Sequence, residues 1–85
     1  MEENNKKTNE VYTNALTVSN TFFDFNLSFK KEYIFEDSGE QKKASEEVAL
    51  LRMSPQMAKA LMSLLQNNIA QYEEAYGLIP AFKTE

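Results

Sequence analysis

The feature that most constrains the fold is a strand that turns directly into one long helix, within residues 47–77. Ser54 can accept a hydrogen bond from an amide of the first helical turn. Pro55 suits the first helical position, because the N–H that proline lacks would be unpaired there. Gly77 fits the left-handed conformation that ends many helices. These signals predict a helix over residues 55–76, about 33 Å long at roughly 1.5 Å per residue.

Three stretches before this helix are predicted to be strands. Residues 11–18 are rich in β-branched and aromatic side chains, which favour a half-buried strand that ends in a turn at residues 19–21. In FFDFNLSFK, residues 22–30, apolar and polar side chains alternate, which indicates an antiparallel sheet covered on one side only. Residues 48–53 are apolar on both faces, which is typical of a central strand or of one whose second face is covered by something other than its own helix.

The simplest fold that buries these faces is an α+β arrangement of the type β-β-β-α. We expect an antiparallel sheet of three strands, or four if residues 33–35 form a strand of their own, with the C-terminal helix packed on its apolar face. Residues 36–46 are charged and turn at Asp37-Ser38-Gly39, which fits either an exposed hairpin tip or a loop. Residues 1–10 are predicted to be a disordered tail, 11–77 one domain, and 78–85 a C-terminal tail.

The helix carries more apolar surface in its first half than one small sheet needs. Its predicted core stripe consists of Ala58, Leu61, Leu65, Ile69, Tyr72 and Tyr76. Further apolar residues broaden the first three turns, either to fill a wide sheet or to meet a partner. Because the last strand is also apolar on both faces, self-association would bury both surpluses, and a two-fold dimer is the default form. The predicted surface is Val48, Leu50, Met57, Ala60 and Leu64.

The composition argues against several classes of function. The 85 residues contain neither cysteine nor histidine, so disulfides, thiolate metal sites and the commonest neutral-pH base are excluded. The net charge is −4 without a large basic cluster, so we expect no nucleic-acid partner. No secretion signal or membrane-spanning run is visible, so we expect a cytoplasmic protein that binds no membrane. We find no paired catalytic arrangement and predict no enzyme activity, no cofactor and no metal.

The start of the helix is the best candidate for a small-ligand or anion site. A helix N-terminus presents unpaired amides and a partial positive charge, which nearby cationic side chains would strengthen. The plainer interpretation is that the serine only caps the helix while its neighbours are solvated. The residues of this candidate site are Arg52, Ser54, Gln56 and Lys59.

Two further groups have plainer interpretations than a binding site. Asp24, Asn26 and Ser28 could bind a small polar ligand or a cation, but an antiparallel sheet needs a wet face of this kind. Four phenylalanines lie between residues 22 and 29 and could stack bases. Because three of them share the apolar phase of the strand, we expect these three, Phe23, Phe25 and Phe29, to lie in the core under the helix.

The sequence resembles a small bacterial family of unknown function, domain-of-unknown-function family 3467, over residues 11–77. The family's Tyr-x-Asn opening corresponds to Tyr12-Thr13-Asn14, and its x-Asp-Phe strand to Phe23-Asp24-Phe25 with Phe29 following. The strongest match is RMSPQMAK, residues 52–59, followed by Leu65, Ile69 and Tyr72-Glu73. This chain has Met57 where the family often has histidine, and residues 32–46 are longer than the usual loop. The resemblance implies the order of elements and no established activity.

The leading hypothesis is a non-enzymatic interaction module that forms a homo-oligomer or binds an unidentified protein partner. The alternative is a small-ligand or anion-binding protein that uses the helix start near Arg52. The biological process, the partner and the ligand are not encoded in any motif of this sequence.

Overall fold

The computed structural model of the chain describes residues 8–81. It contains three strands and one helix: β1 Ala15–Asn20, β2 Phe25–Asp37, β3 Glu40–Met53 and α1 Pro55–Tyr76. The strands form an antiparallel sheet in the order β1-β2-β3, which confirms the predicted α+β class and the β-β-β-α order. The chain divides after Arg52 into a sheet unit and a helix unit. Packing of the helix on the sheet, and a single domain over residues 11–77, stay predictions.

The pairing of β1 with β2 explains why the sheet has one apolar face. Leu16 lies opposite Phe29, and Val18 lies opposite Leu27. Because side chains directly opposite each other in an antiparallel pair point to the same side, these residues share one face. Thr17 and Ser28 form a pair on the other, polar face. Leu27 is 7% exposed and is the one buried hydrophobic residue of the part of the chain that the structure describes.

A tight hairpin joins β2 to β3. Ser38 and Gly39 both have positive φ angles, of 54° and 81°, as a two-residue type I′ turn requires. β2 runs without a break through Tyr33-Ile34-Phe35, so these residues extend the second strand. The charged stretch at residues 36–46 is therefore a hairpin tip within a long ribbon.

Cross-strand contacts show how β2 and β3 share their faces. Ser28 Oγ donates to the Glu47 carboxylate at 2.5 Å, and Lys42 Nζ lies 3.3 Å from Asp37 Oδ2. In β2, Ser28 and Asp37 lie on opposite faces. Their partners in β3, Glu47 and Lys42, also lie on opposite faces, so both contacts fit one regular alternation of side chains along the two strands. Even-numbered residues of β3 therefore share the face of Leu27.

The start of β1 and the turn after it differ from the predictions. β1 begins at Ala15 instead of residue 11, and Ser19 and Asn20 still belong to it. The turn is centred on Thr21, whose Oγ1 accepts from the N–H groups of Phe23 and Asp24 at 3.1 and 3.2 Å. Phe22 and Phe23 are 87% and 74% exposed in this turn. The predicted core position of Phe23 is wrong, because these hydrogen bonds take it out of the strand.

The position of β3 excludes one of the two interpretations of its apolar faces. A strand that is apolar on both faces is typical of a central position or of a second face covered by something other than its own helix, and β3 lies at one edge of the sheet beside the central strand β2. The hairpin places β3 beside β2, and no further strand follows it among residues 8–81. The apolar residues on the two faces of β3 therefore need another explanation than a central position.

The helix has the predicted bounds, from Pro55 to Tyr76. Ser54 is its N-cap, and the N–H of Gly77 donates to the Glu73 carbonyl at 2.9 Å. Gly77 has the predicted positive φ, 107°, but its ψ of 169° lies outside the left-handed helical region. The Ile79 N–H donates to the Glu73 carboxylate, so the first residues after the helix are tied to its last turn.

The helix contains no buried residue. Ala58 and Leu61 are half-buried, whereas the rest of the predicted core stripe, namely Leu65, Ile69, Tyr72 and Tyr76, is exposed. Burial of this stripe against the sheet stays a prediction. The amphipathic spacing that the sequence predicts is present along the helix.

Asn14 continues the pairing of β1 with its side chain. Its carboxamide donates to the Glu32 carbonyl at 3.1 Å and accepts from the Glu32 N–H at 2.9 Å. Thr13, the residue before Asn14, donates from its Oγ1 to the Lys30 carbonyl at 2.7 Å. A side chain here satisfies both backbone groups of a strand residue, as a neighbouring strand residue would. Asn14 therefore fixes where the chain leaves the sheet.

We expect Asn14→Ala to destabilise the protein by about 1–2 kcal/mol, because two hydrogen bonds are lost. Asn14→Asp keeps the acceptor but places a carboxylate oxygen against the Glu32 carbonyl, so it should cost at least as much. Urea unfolding at fixed protein concentration measures both. Asn9→Ala, at an exposed position before the sheet, is the matched control. A cost for Asn14→Ala no larger than that of the control would contradict the assigned role.

Candidate functional site

The candidate surface begins with the last residues of β3. Val48 and Leu50 lie on the face of the sheet that contains Leu27. Glu47, the residue before Val48, contacts Ser28 on the opposite face, and successive residues of a strand alternate between the two faces. Val48 is half-buried, and Leu50 is 55% exposed. Leu51 is also exposed, on the opposite face. β3 thus presents large apolar side chains to solvent on both faces, in the phases that the sequence predicts.

The helix supplies the second part of the candidate surface. Met57, Ala60 and Leu64 are three and seven residues apart and so lie on one side of the helix. All three are exposed, and Leu64 is 59% exposed. Each unit therefore carries its own apolar patch: Val48 and Leu50 on the sheet unit, and Met57, Ala60 and Leu64 on the helix unit. That the two patches form one surface stays a prediction.

The proposed anion site is divided between the same two units. Arg52 ends the sheet unit, whereas Ser54, Gln56 and Lys59 belong to the helix unit. Ser54 Oγ accepts from the Met57 N–H at 3.1 Å, which is the capping role of the plainer interpretation. Gln56 and Lys59 are exposed, and the first turn contains no acidic residue. The grouping of all four residues into one site stays a prediction.

A shallow cleft lies beside Asn14 on the sheet unit. It has a volume of about 230 Å³ and is lined by Asn14, Glu32, Tyr33, Ile34 and Lys43. Its position follows from the length of the strands, because β1 ends its pairing with β2 at Lys30 while β2 continues to Asp37. Sequence reasoning missed this cleft. The signal for it was the polar Tyr12-Thr13-Asn14 segment before a strand that is shorter than its neighbour.

The remaining polar candidates form ordinary sheet contacts. Ser28 donates to Glu47, and Asn26 lies opposite Ser19 on the polar face of the sheet. Within residues 8–81, no three acidic, histidine or cysteine side chains are grouped so that they could hold a metal ion. In the same range, the one helix does not combine the length and the apolar character that crossing a membrane needs.

Comparison with known proteins gives one match. The family model described as "Protein of unknown function (DUF3467)" matches residues 1–81 of the 85-residue chain. The chain belongs to the DUF3467 family. No curated protein and no solved structure matches it. The resemblance inferred from the sequence is thereby confirmed, and the geometry can be compared with the motifs that suggested it.

Two DUF3467 motifs of this chain have a structural explanation. Asn14 of the Tyr-x-Asn opening binds the backbone of Glu32, and Ser54 of the RMSPQMAK segment caps the helix. The pattern Leu65, Ile69 and Tyr72 is different, because all three side chains are exposed on one side of the helix.

The role of Ser54 can be tested directly. Ser54→Ala should lower the free energy of unfolding by about 1 kcal/mol, because the N-cap hydrogen bond is lost. Ser54→Asp should keep the stability, since a carboxylate also caps a helix, while it would repel an anion bound there. Urea unfolding measures the first effect, and unfolding with added inorganic phosphate measures the second. Phosphate stabilisation in wild type that Ser54→Asp abolishes would contradict a purely capping role.

Proposed function

We propose that this DUF3467 protein is a non-enzymatic interaction module that associates with a second copy of itself. The surfaces it uses are the apolar residues of β3 and of the first half of α1. A two-fold dimer is the simplest assembly, because one surface patch then serves both copies. A cytoplasmic location is part of the same proposal.

The observation that carries the proposal is the imbalance between buried and exposed apolar side chains. In the part of the chain that the structure describes, one hydrophobic residue is buried and twenty large ones are exposed. Single exposed hydrophobic residues are normal, but extended exposed patches mark interaction surfaces. Here, such residues follow regular strand and helix spacing in both units.

The energetics of the helix support the proposal. A 22-residue helix in water gains little from backbone hydrogen bonding alone, and most helical stability in proteins comes from packing an apolar face. α1 has the apolar face and no buried residue. Burying a large apolar side chain contributes about 1.5–3 kcal/mol, so a partner that covers even a few of them would stabilise the fold substantially.

The available chemistry also favours binding over catalysis. The sequence offers no cysteine or histidine, so an active site would depend on carboxylates, lysine, tyrosine or hydroxyl groups. Two acidic side chains of the sheet form simple contacts, Asp37 with Lys42 and Glu47 with Ser28. The alternative, an anion site at Arg52 and the helix start, is supported by the absence of acidic residues in the first turn.

Leu64→Asp and Met57→Asp should each raise the dissociation constant of the dimer at least tenfold, because each buries a charge twice in a two-fold interface. Sedimentation equilibrium over a concentration series measures the dissociation constant. Gln66→Asp adds the same charge to an exposed position on the polar side of the helix and is the matched control.

The helical circular dichroism of all three variants at high concentration should match that of wild type. A wild-type chain that sediments as a monomer at high micromolar concentration would contradict the proposed function. A dimer that all three substitutions leave unchanged would contradict the assignment of the helix face.

A further inference from the structure

β3 has a hydrogen-bonding edge that no described strand covers. It is 14 residues long and lies at one end of the order β1-β2-β3. One edge of β3 pairs with β2, so within residues 8–81 its second edge faces no strand. A row of outward backbone N–H and C=O groups of this length is a template for another strand.

The charges on β3 have an order that makes the strand complementary to itself. Residues 42–47 read Lys-Lys-Ala-Ser-Glu-Glu, with two cations, two small residues and two anions in succession. One of these charges, Lys42, forms the only ion pair among the described residues, with Asp37. An antiparallel copy reverses the order of the charges, so the cations of one strand meet the anions of the other.

The symmetry of an antiparallel pair allows two registers with this property. A two-fold axis perpendicular to the sheet lies midway between the two β3 strands. Because residues directly opposite each other share a face, the axis must be level with one residue that faces the same residue of the second copy. With Ala44 on the axis, Lys42 faces Glu46 of the second copy. With Ser45 on the axis, Lys43 faces Glu47 of the second copy. In each register, the other lysine and glutamate are diagonal neighbours.

Charged residues on an edge strand usually prevent pairing. A block of one sign would do so here, because a second copy would bring like charges together. The observed order is repulsive for a parallel copy in register, in which lysine would face lysine, and attractive for an antiparallel one. The pattern therefore selects one orientation of the partner, which protection of an edge does not require.

We propose that β3 pairs with β3 of a second copy, antiparallel about a two-fold axis through Ala44 or Ser45, to form one six-stranded sheet. The axis keeps the faces of both copies on the same side, and Lys42, Ala44 and Glu46 lie on the Leu27 face where the two copies meet. This inference rests on the proposed self-association and specifies its geometry. The order of strands would be β1-β2-β3-β3-β2-β1.

A charge-exchange experiment tests the pairing. The acidic-edge variant Lys42→Glu/Lys43→Glu and the basic-edge variant Glu46→Lys/Glu47→Lys should each dimerise at least tenfold more weakly than wild type at low salt. Mixed in equal amounts, they should form a heterodimer at least tenfold tighter than either homodimer. The fourfold variant that combines all these changes should dimerise as wild type does, although it also loses the contacts of Lys42 with Asp37 and of Glu47 with Ser28.

Sedimentation equilibrium gives the dissociation constants, and circular dichroism checks that each variant is folded. A wild-type dimer that neither double variant weakens would overturn the β3 pairing and leave self-association standing. A fourfold variant that fails to dimerise, or a mixture without a heterodimer, would overturn the pairing as well. A monomeric wild-type chain would overturn both proposals.

Discussion

The sheet depends on β2, because β2 is the only described strand with a neighbour on each side. The alternation of apolar and polar side chains over residues 25–30 of β2 fixes the register in which β1 can pair with it, since a shift by one residue would turn Leu16 and Val18 to the polar face. Leu27, at the middle of this pairing, is the one buried hydrophobic residue within residues 8–81. The apolar side chains of the same face in β1 and β3 are more exposed than Leu27.

The second main feature of the protein is the exposed apolar surface that both units carry. The helix has a regular apolar side and no buried residue, and β3 carries exposed leucines on both faces. Small domains often need a staple beyond their own core. Without cysteine or histidine, disulfides and the commonest metal sites are excluded, so association is the staple this composition leaves.

Local signals in the sequence predicted local structure well. Ser54 and Pro55 define the start of α1, Gly77 defines its end, and the alternation in β2 identifies the apolar face. These features depend on residues a few positions apart, which a single sequence contains. Phe23 was misassigned because the Thr21 hydroxyl bonds to the backbone and ends the strand phase early. Turn chemistry of this kind competes with the alternation pattern and is not visible in it.

What could not be predicted depends on contacts between distant parts of the chain. Nothing near Asn14 in the sequence indicates that its carboxamide binds Glu32, eighteen residues later. The edge position of β3 was not predictable for a related reason, because apolar side chains on both faces fit a central strand as well as a strand whose second face is covered by something other than its own helix. The candidate surface Val48, Leu50, Met57, Ala60 and Leu64 was predictable as a set of residues from periodicity. The function of this surface was not predictable, because periodicity identifies an apolar face without identifying what covers it.

The central claim is that the chain associates with a second copy through its exposed apolar surfaces, and thermal unfolding over a range of chain concentrations tests it most directly. When unfolding is coupled to dissociation, the midpoint rises with the concentration of the chain. We expect a clear rise in the midpoint between about 1 µM and about 100 µM, over which dimer formation becomes more complete. A single cooperative transition with the same midpoint at every concentration would show that the chain is stable alone, and would contradict the account.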